Sequence, residues 1–137
     1  MLFHFESMKR IFCLVAVSLI VACSGESTYK KAEDAQDAGR EFIRASLDGD
    51  IKKAKFYLLQ DSANLYLMDK WKTDLYDKLS PAERRGYRES NIQPVRITSE
   101  NDSIVSYVFT NSFKNDTMSI KILKMNGEWL VNLKDIH

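Results

Sequence analysis

Residues 103–133, SIVSYVFTNSFKNDTMSIKILKMNGEWLVNL, decide what kind of domain this chain can form. Between Ser103 and Lys114, Val105, Tyr107, Phe109 and Phe113 alternate against Ser106, Thr110 and Ser112, the period-two pattern of a half-buried strand. Asn115-Asp116 makes a turn, after which Met118, Ile120 and Ile122 alternate in the next strand. Asn126-Gly127 is the strongest hairpin signal in the chain, because a type I′ turn needs positive φ at both central residues. The strand beyond it carries Trp129, Val131 and Leu133 on one face. An earlier strand, begun by Val95 and Ile97 and closed at Asn101-Asp102, completes an antiparallel meander of about four strands.

Upstream of the meander the apolar period lengthens from 2 to 3.6. Ala35, Ala38, Phe42 and Ala45 recur at helical spacing, and Ile43 and Leu47 widen the stripe. Gly49 is a natural stop, and Asp50 can cap a second helix over 51–60, IKKAKFYLLQ, with Ile51, Ala54 and Leu58 on one face. Asp61 or Ser62 caps a third helix in which Leu65, Met68, Trp71, Leu75 and Leu79 repeat every three or four residues. Ser80-Pro81-Ala82-Glu83 is a capping box with proline at the first helical position, so a short fourth helix runs to about Glu89. Asn91 and Pro94 close the helical half. Helices first and strands last imply an α+β domain, its N-terminal helices packed on one face of a curved antiparallel sheet.

The other end of the chain carries a different signal. Lys9 and Arg10 precede twelve residues, IFCLVAVSLIVA, that are apolar apart from Ser18. A basic start, a short apolar core and a small residue before a boundary make a secretory signal peptide. Twelve helical residues reach roughly 18 Å, too short for a hydrocarbon core of about 30 Å. Met8 directly precedes the basic pair and is the expected true start, which makes residues 1–7 an over-extended reading frame.

Ile20-Val21-Ala22-Cys23 resembles the lipobox of bacterial lipoproteins. That resemblance implies a diacylglyceryl thioether on the Cys23 thiol, cleavage just before it, and several acyl chains on one residue, as stable anchoring requires. The bland alternative is a buried cysteine in an ordinary signal core, the reading given to Cys13. The expected organisation is a lipoprotein signal peptide over 1–22, the lipidated cysteine and a polar tether over 23–34, and a domain over 35–137. About ten flexible tether residues keep that domain within about 20 Å of the bilayer. Ser24 is similar to the outer-membrane sorting residue of proteobacterial lipoproteins, which implies an outer-membrane protein facing the periplasm. In such a protein Asn101-Asp102-Ser103 and Asn115-Asp116-Thr117, which fit the glycosylation sequon, are read as turns.

Composition narrows the chemistry. A chain starting at Cys23 keeps 115 of the 137 residues, enough for one domain with a real core. It keeps 18 basic and 18 acidic side chains, interspersed along its length. Such a neutral surface argues against a nucleic-acid partner, since no strong basic field exists to release counterions. Of two cysteines, Cys13 lies in the signal and Cys23 at its end, so the domain is expected to have no disulfide, thiolate nucleophile or cysteine metal site. His4 and His137 are the two histidines and neither falls in the domain body, which removes the usual general base and the commonest transition-metal ligand. No cofactor, metal or catalytic residue is expected.

The order of elements resembles the nuclear-transport-factor-2-like superfamily, a cone of helices wrapped by a curved antiparallel sheet. Three stretches carry the resemblance: AGREFIRASLDGDIKKAKFYL, with its aromatic and its DGD break; the paired strands SIVSYVFTNSF and TMSIKILKM; and the closing NGEWLVNL. More narrowly, the chain looks like the bacterial lipoprotein branch of that superfamily once labelled lumazine-binding-like. The resemblance covers residues 33–136, and a cystatin-like inhibitor fold is the nearest competing architecture. It implies a range of activities: isomerases, dehydratases, small-ligand binders and catalytically silent interaction domains. A His–Asp dehydratase pair cannot be built without histidine. An isomerase would need an aspartate and a tyrosine, for which Asp61, Asp69 and Asp74 and Tyr57, Tyr66, Tyr76, Tyr87 and Tyr107 are available. None of those carboxylates sits in an apolar strand; Asp61 reads as a cap and the others as a solvated helix face.

Phe42, Leu58, Trp71, Tyr107, Phe109, Phe113, Trp129 and Val131 would face one another across the cone, either filling a core or lining a pocket for a small planar or lipidic molecule. Ser106, Thr110, Ser112, Lys121 and Lys124 fall on or near the outer sheet face, where this superfamily often pairs into homodimers. The expectation is a membrane-tethered, non-catalytic envelope lipoprotein binding a partner protein or small ligand. The alternative is a small-ligand-binding or isomerase-like enzyme using the aromatic cone as its pocket.

Overall fold

A computed structural model of the chain describes residues 28–134. The signal segment, Cys23 and residues 135–137 lie outside the described residues. Four helices come first: α1 (Ala35–Asp48), α2 (Ile51–Phe56), α3 (Ser62–Asp74) and, after a 3₁₀ turn at Tyr76–Lys78, α4 (Pro81–Glu89). The strands β1 (Ile92–Asn101), β2 (Ile104–Asn111), β3 (Thr117–Met125) and β4 (Glu128–Asn132) follow and pair antiparallel in chain order. The result is an α+β domain whose sheet stays open rather than closing into a barrel. No helix among the described residues is long and apolar enough to cross a membrane.

Local chemistry sets the helix ends. The carboxylates of Asp34, Asp50 and Asp61 accept from the backbone N–H groups of Asp37, Lys53 and Asn64, and Ser80 and Glu83 form the reciprocal capping box of α4. Gly49 ends α1 at φ 74°, with its N–H donating to the carbonyls of Ala45 and Ser46. A Cβ at Gly49 would collide with the Tyr76 hydroxyl, so this position is closed to side chains both sterically and conformationally. Asn126 and Gly127, at φ 52° and 78°, make the type I′ turn between β3 and β4.

Four boundaries differ from the sequence pattern. Helix α2 stops at Phe56 instead of running to residue 60, because the next residues turn extended and pair with β4. The Leu59 N–H donates to the Val131 carbonyl and the Val131 N–H to the Tyr57 carbonyl, both at 2.8 Å, covering the edge of β4. Helix α3 ends at Asp74, so Leu75 is left 58% exposed and Leu79 belongs to the following turn. Strand β1 begins at Ile92 and includes Pro94, which an edge strand tolerates, with a register slip between Pro94 and Arg96. Strand β2 ends at Asn111 rather than Lys114, because the Asn111 Oδ1 accepts the N–H groups of Phe113 and Lys114 at 3.1 and 2.8 Å and turns the chain. Phe113 therefore leaves the sheet, and Leu133 lies just past β4.

The core forms where α1 crosses the sheet. Ala35, Ala38, Phe42, Ile43 and Ala45 are buried against Val105, Tyr107 and Phe109 of β2, Ile120 and Ile122 of β3, and Val131 of β4. Ala54, Tyr57, Leu58 and Met68 close it from α2, the segment after it and α3. On β1, Ile97 pairs with Tyr107 and so shares the inner face, yet it is 40% exposed beyond the reach of the helices.

Charge and burial fix how stability should vary with pH. Asp37 is held below the usual carboxylate range first by the Glu33 backbone N–H, Asp61 by Lys134 and the Asn64 N–H, and Glu100 by the Ser106 hydroxyl. A carboxyl whose folded pKa is depressed stabilises above its unfolded value and loses that contribution as the pH falls through the folded one. Tyr57, Tyr87 and Tyr107 are pushed upward, chiefly by burial, so their contribution is present below the unfolded value and is lost as the pH rises through the folded one. Denaturant midpoints are expected to be level between about pH 5 and 8 and to fall below about 4 and above about 10. A midpoint unchanged between pH 5 and 3 would contradict the assigned carboxylate partners.

Candidate ligand cavity

Beside the closed core, the helices stand off the sheet. Helix α4 buries none of its residues, and α3 buries only Asn64 and Met68. What holds α4 away is Phe113, in the turn after β2. Its ring lies so close to Gly86 that a Cβ there could not fit, and Tyr87 meets it edge-on at 5.0 Å between ring centroids. From the other side, the Arg44 guanidinium of α1 donates to the Ser90 and Tyr87 carbonyls at 2.7 and 2.8 Å, fixing the C-terminal end of α4. The wedge leaves a cavity of about 500 Å³ between α1, α3, α4 and the β2–β3 end of the sheet.

Its walls are mostly apolar. Phe42, Ile43 and Leu47 come from α1, Met68 and Trp71 from α3, Phe109 from β2, and Met118 and Ile120 from β3. Leu75, 58% exposed, and Met118, 47% exposed, also line it, so the cavity is open to solvent there. Trp71 stacks on Tyr76 at 5.7 Å, and Arg84 lies 4.8 Å over the other ring of that pair. The polar wall groups are few: Ser46, Tyr76, Tyr87, Asn111 and Asp116. Ser46 is satisfied, its hydroxyl donating to the Phe42 carbonyl at 2.8 Å. Burial first, then the nearby Asp116 carboxylate, pushes the Tyr87 phenol upward.

Of the eight expected lining residues, the structure brings three to this cavity: Phe42, Trp71 and Phe109. Leu58, Tyr107 and Val131 lie in the closed core, each at most 1% exposed. Phe113 is the wedge under α4 rather than a sheet residue. Trp129 lines a separate hollow of about 60 Å³ with Ala32, Phe56 and Tyr57, and Lys124 sits 5.6 Å over its ring. The eight therefore do not form one aromatic cone.

Met68 and Ile120 were visible as apolar stripe residues. Asn111 and Asp116 had a fainter signature: Asn111 is the polar residue that ends the inward run Val105, Tyr107, Phe109, and Asp116 sits in the turn that follows. Asp61 caps α3 and pairs with Lys134, Asp69 pairs with Lys55, and neither these nor Asp74 lines the cavity. Among the described residues, no group of three or more His, Cys, Asp or Glu side chains is placed to hold a metal ion.

Fold and site together define an α+β domain with a half-open apolar cavity beside its core. No protein-family model matches this chain, and neither a curated protein nor a solved structure matches it.

Proposed function

We propose that this chain is a lipid-anchored envelope lipoprotein whose non-catalytic domain holds a small apolar or planar molecule in the cavity between α1, α3, α4 and the sheet. The observation that carries the reading is the cavity itself. Its volume of about 500 Å³ falls within the usual range for small-molecule sites, and its walls are largely aromatic, aliphatic and thioether groups with a few polar ones. A filled core would have left no such space, since protein interiors close to near-crystalline density. The anchor rests on the lipobox-like Ile20-Val21-Ala22-Cys23, and a place in the nuclear-transport-factor-2-like superfamily rests on the order of helices and meander.

Native and denaturing mass spectra of the protein isolated from its own host test the reading. A species bound in the native spectrum and lost on denaturation is expected. Leu47→Trp, which directs a larger ring into the cavity, should lower occupancy at least about tenfold with little loss of folding. Equal occupancy in Leu47→Trp would place the molecule elsewhere, and a wild-type protein that never carries or takes up a small molecule would remove the reading. A second reading, association with another copy or a partner protein, is favoured by β1. Among the described residues it is the uncovered edge of the sheet, and it leaves Val95 60% and Ile97 40% exposed.

A further inference from the structure

One polar side chain in the cavity wall is only half used by the fold. Asn111 is 4% exposed and belongs to the inward-facing run of β2. Its Oδ1 is identified by the two backbone N–H groups that donate to it, those of Phe113 and Lys114, so the other terminal atom must be the NH₂. Among the described residues that Nδ2 has no hydrogen-bond partner, while Asn111 lines the cavity. The Nδ2 faces the cavity without a protein acceptor, so an acceptor brought by a ligand gains a hydrogen bond there that the wall itself does not supply. At the same cavity stands Asp116, an exposed carboxylate that forms no ion pair among the described residues. Among the described residues no lysine or arginine lines the cavity itself; Arg84, a cation beside a wall residue, lies over the Tyr76 ring.

From this geometry we infer that the ligand is a neutral, largely apolar molecule whose polar group is a carbonyl-type acceptor, received by the Asn111 Nδ2, and that carboxylate-bearing ligands are excluded. The inference rests on the ligand reading above and narrows it. Three near-isosteric probes separate the two: 2-acetylnaphthalene, 2-ethylnaphthalene and 2-naphthoate. Binding is measured by equilibrium dialysis on the full chain in lipid nanodiscs, with protein-free nanodiscs as the partition blank. The ketone should bind roughly five- to tenfold tighter than the hydrocarbon, the scale of one net hydrogen bond, and the anion at least tenfold more weakly than the ketone.

Asn111→Asp keeps the oxygen that holds the turn and loses the donor, so the preference of ketone over hydrocarbon should vanish. Asp116→Asn should recover part of the naphthoate binding. Binding of ketone and hydrocarbon with equal affinity would overturn the role of Asn111 and leave the ligand reading standing. Naphthoate binding as tightly as the ketone would overturn the exclusion of acids. Failure of all three probes to bind above the blank would instead remove the ligand reading on which the inference rests. The wild-type comparison decides these outcomes even where a variant folds poorly.

Discussion

Replacing Asn64 by leucine is expected to cost about 3 kcal/mol of stability and roughly 10–20 °C of melting temperature. Asn64 is fully buried, and every polar atom of its carboxamide is used. Its Nδ2 donates to the Asp61 Oδ1 and to the Asn132 Oδ1, both at 3.1 Å, while its Oδ1 accepts the Leu133 N–H at 2.7 Å. These bonds tie α3 to the end of β4 across 68 and 69 residues of sequence. Leucine preserves the volume and so creates no large cavity. What it removes is the acceptor of a backbone N–H and the donor to a buried carboxamide, the kind of loss that costs the full desolvation of the groups left behind. Urea denaturation followed by circular dichroism measures the effect. Lys70→Ala, on the exposed face of the same helix, should change stability by less than about 0.5 kcal/mol. Equal midpoints for wild type and Asn64→Leu would mean that water replaces the lost bonds at no cost.

Asn64 also marks where local sequence stopped being informative. Alternation in β2 and β3, the Asn126-Gly127 turn, the Asp50 and Asp61 caps and the capping box at Ser80 are local features, and each is found where its pattern indicates. These signals sit within a few residues of their effect. An asparagine inside a helix carries no such label, because Asn132 and Leu133, the partners that bury it, come from the opposite end of the domain. Helix α2 makes the same point: residues 57–59 have helical periodicity, but two hydrogen bonds to Val131 win over it.

The cavity was half legible for a related reason. Aromatic and aliphatic positions at the right spacing announce an inward face, and Phe42, Trp71 and Phe109 do line the space. Whether inward residues meet or leave a gap depends on how far the neighbouring helix stands off. Here the Gly86–Phe113 contact sets that distance, between residues 27 apart and in different elements. Phe113 belongs to the alternation in the sequence, yet Asn111 turns the chain before it can enter the sheet. One side chain thus ends the strand, props the helix and leaves an amide facing the cavity.

The all-or-none effect is expected at Cys23. In the proposed anchor one thioether and the acyl chains on that residue hold the protein to the bilayer, so Cys23→Ala should abolish incorporation of labelled palmitate and release the domain from washed membranes. The magnitude follows from chain number. A buried methylene contributes about 0.8 kcal/mol, which makes a single acyl chain a marginal, reversible anchor and two or more a stable one. No partial phenotype is expected, since alanine has no atom to alkylate. Cys13→Ala, within the same apolar segment, is the control and should leave both label and membrane fraction unchanged. Persistent label in Cys23→Ala, or loss of label in Cys13→Ala, would assign the thioether wrongly. The anchor also bears on the cavity. Tyr29 and Lys30 already rest against Phe56 and Tyr57, so the proposed anchor at Cys23 would keep the domain close to the bilayer, where a neutral, apolar ligand partitions, whereas a released domain must find the same molecule at its far lower aqueous concentration. Cys23→Ala protein isolated from the host should therefore carry less bound ligand than wild type, although its cavity is unaltered.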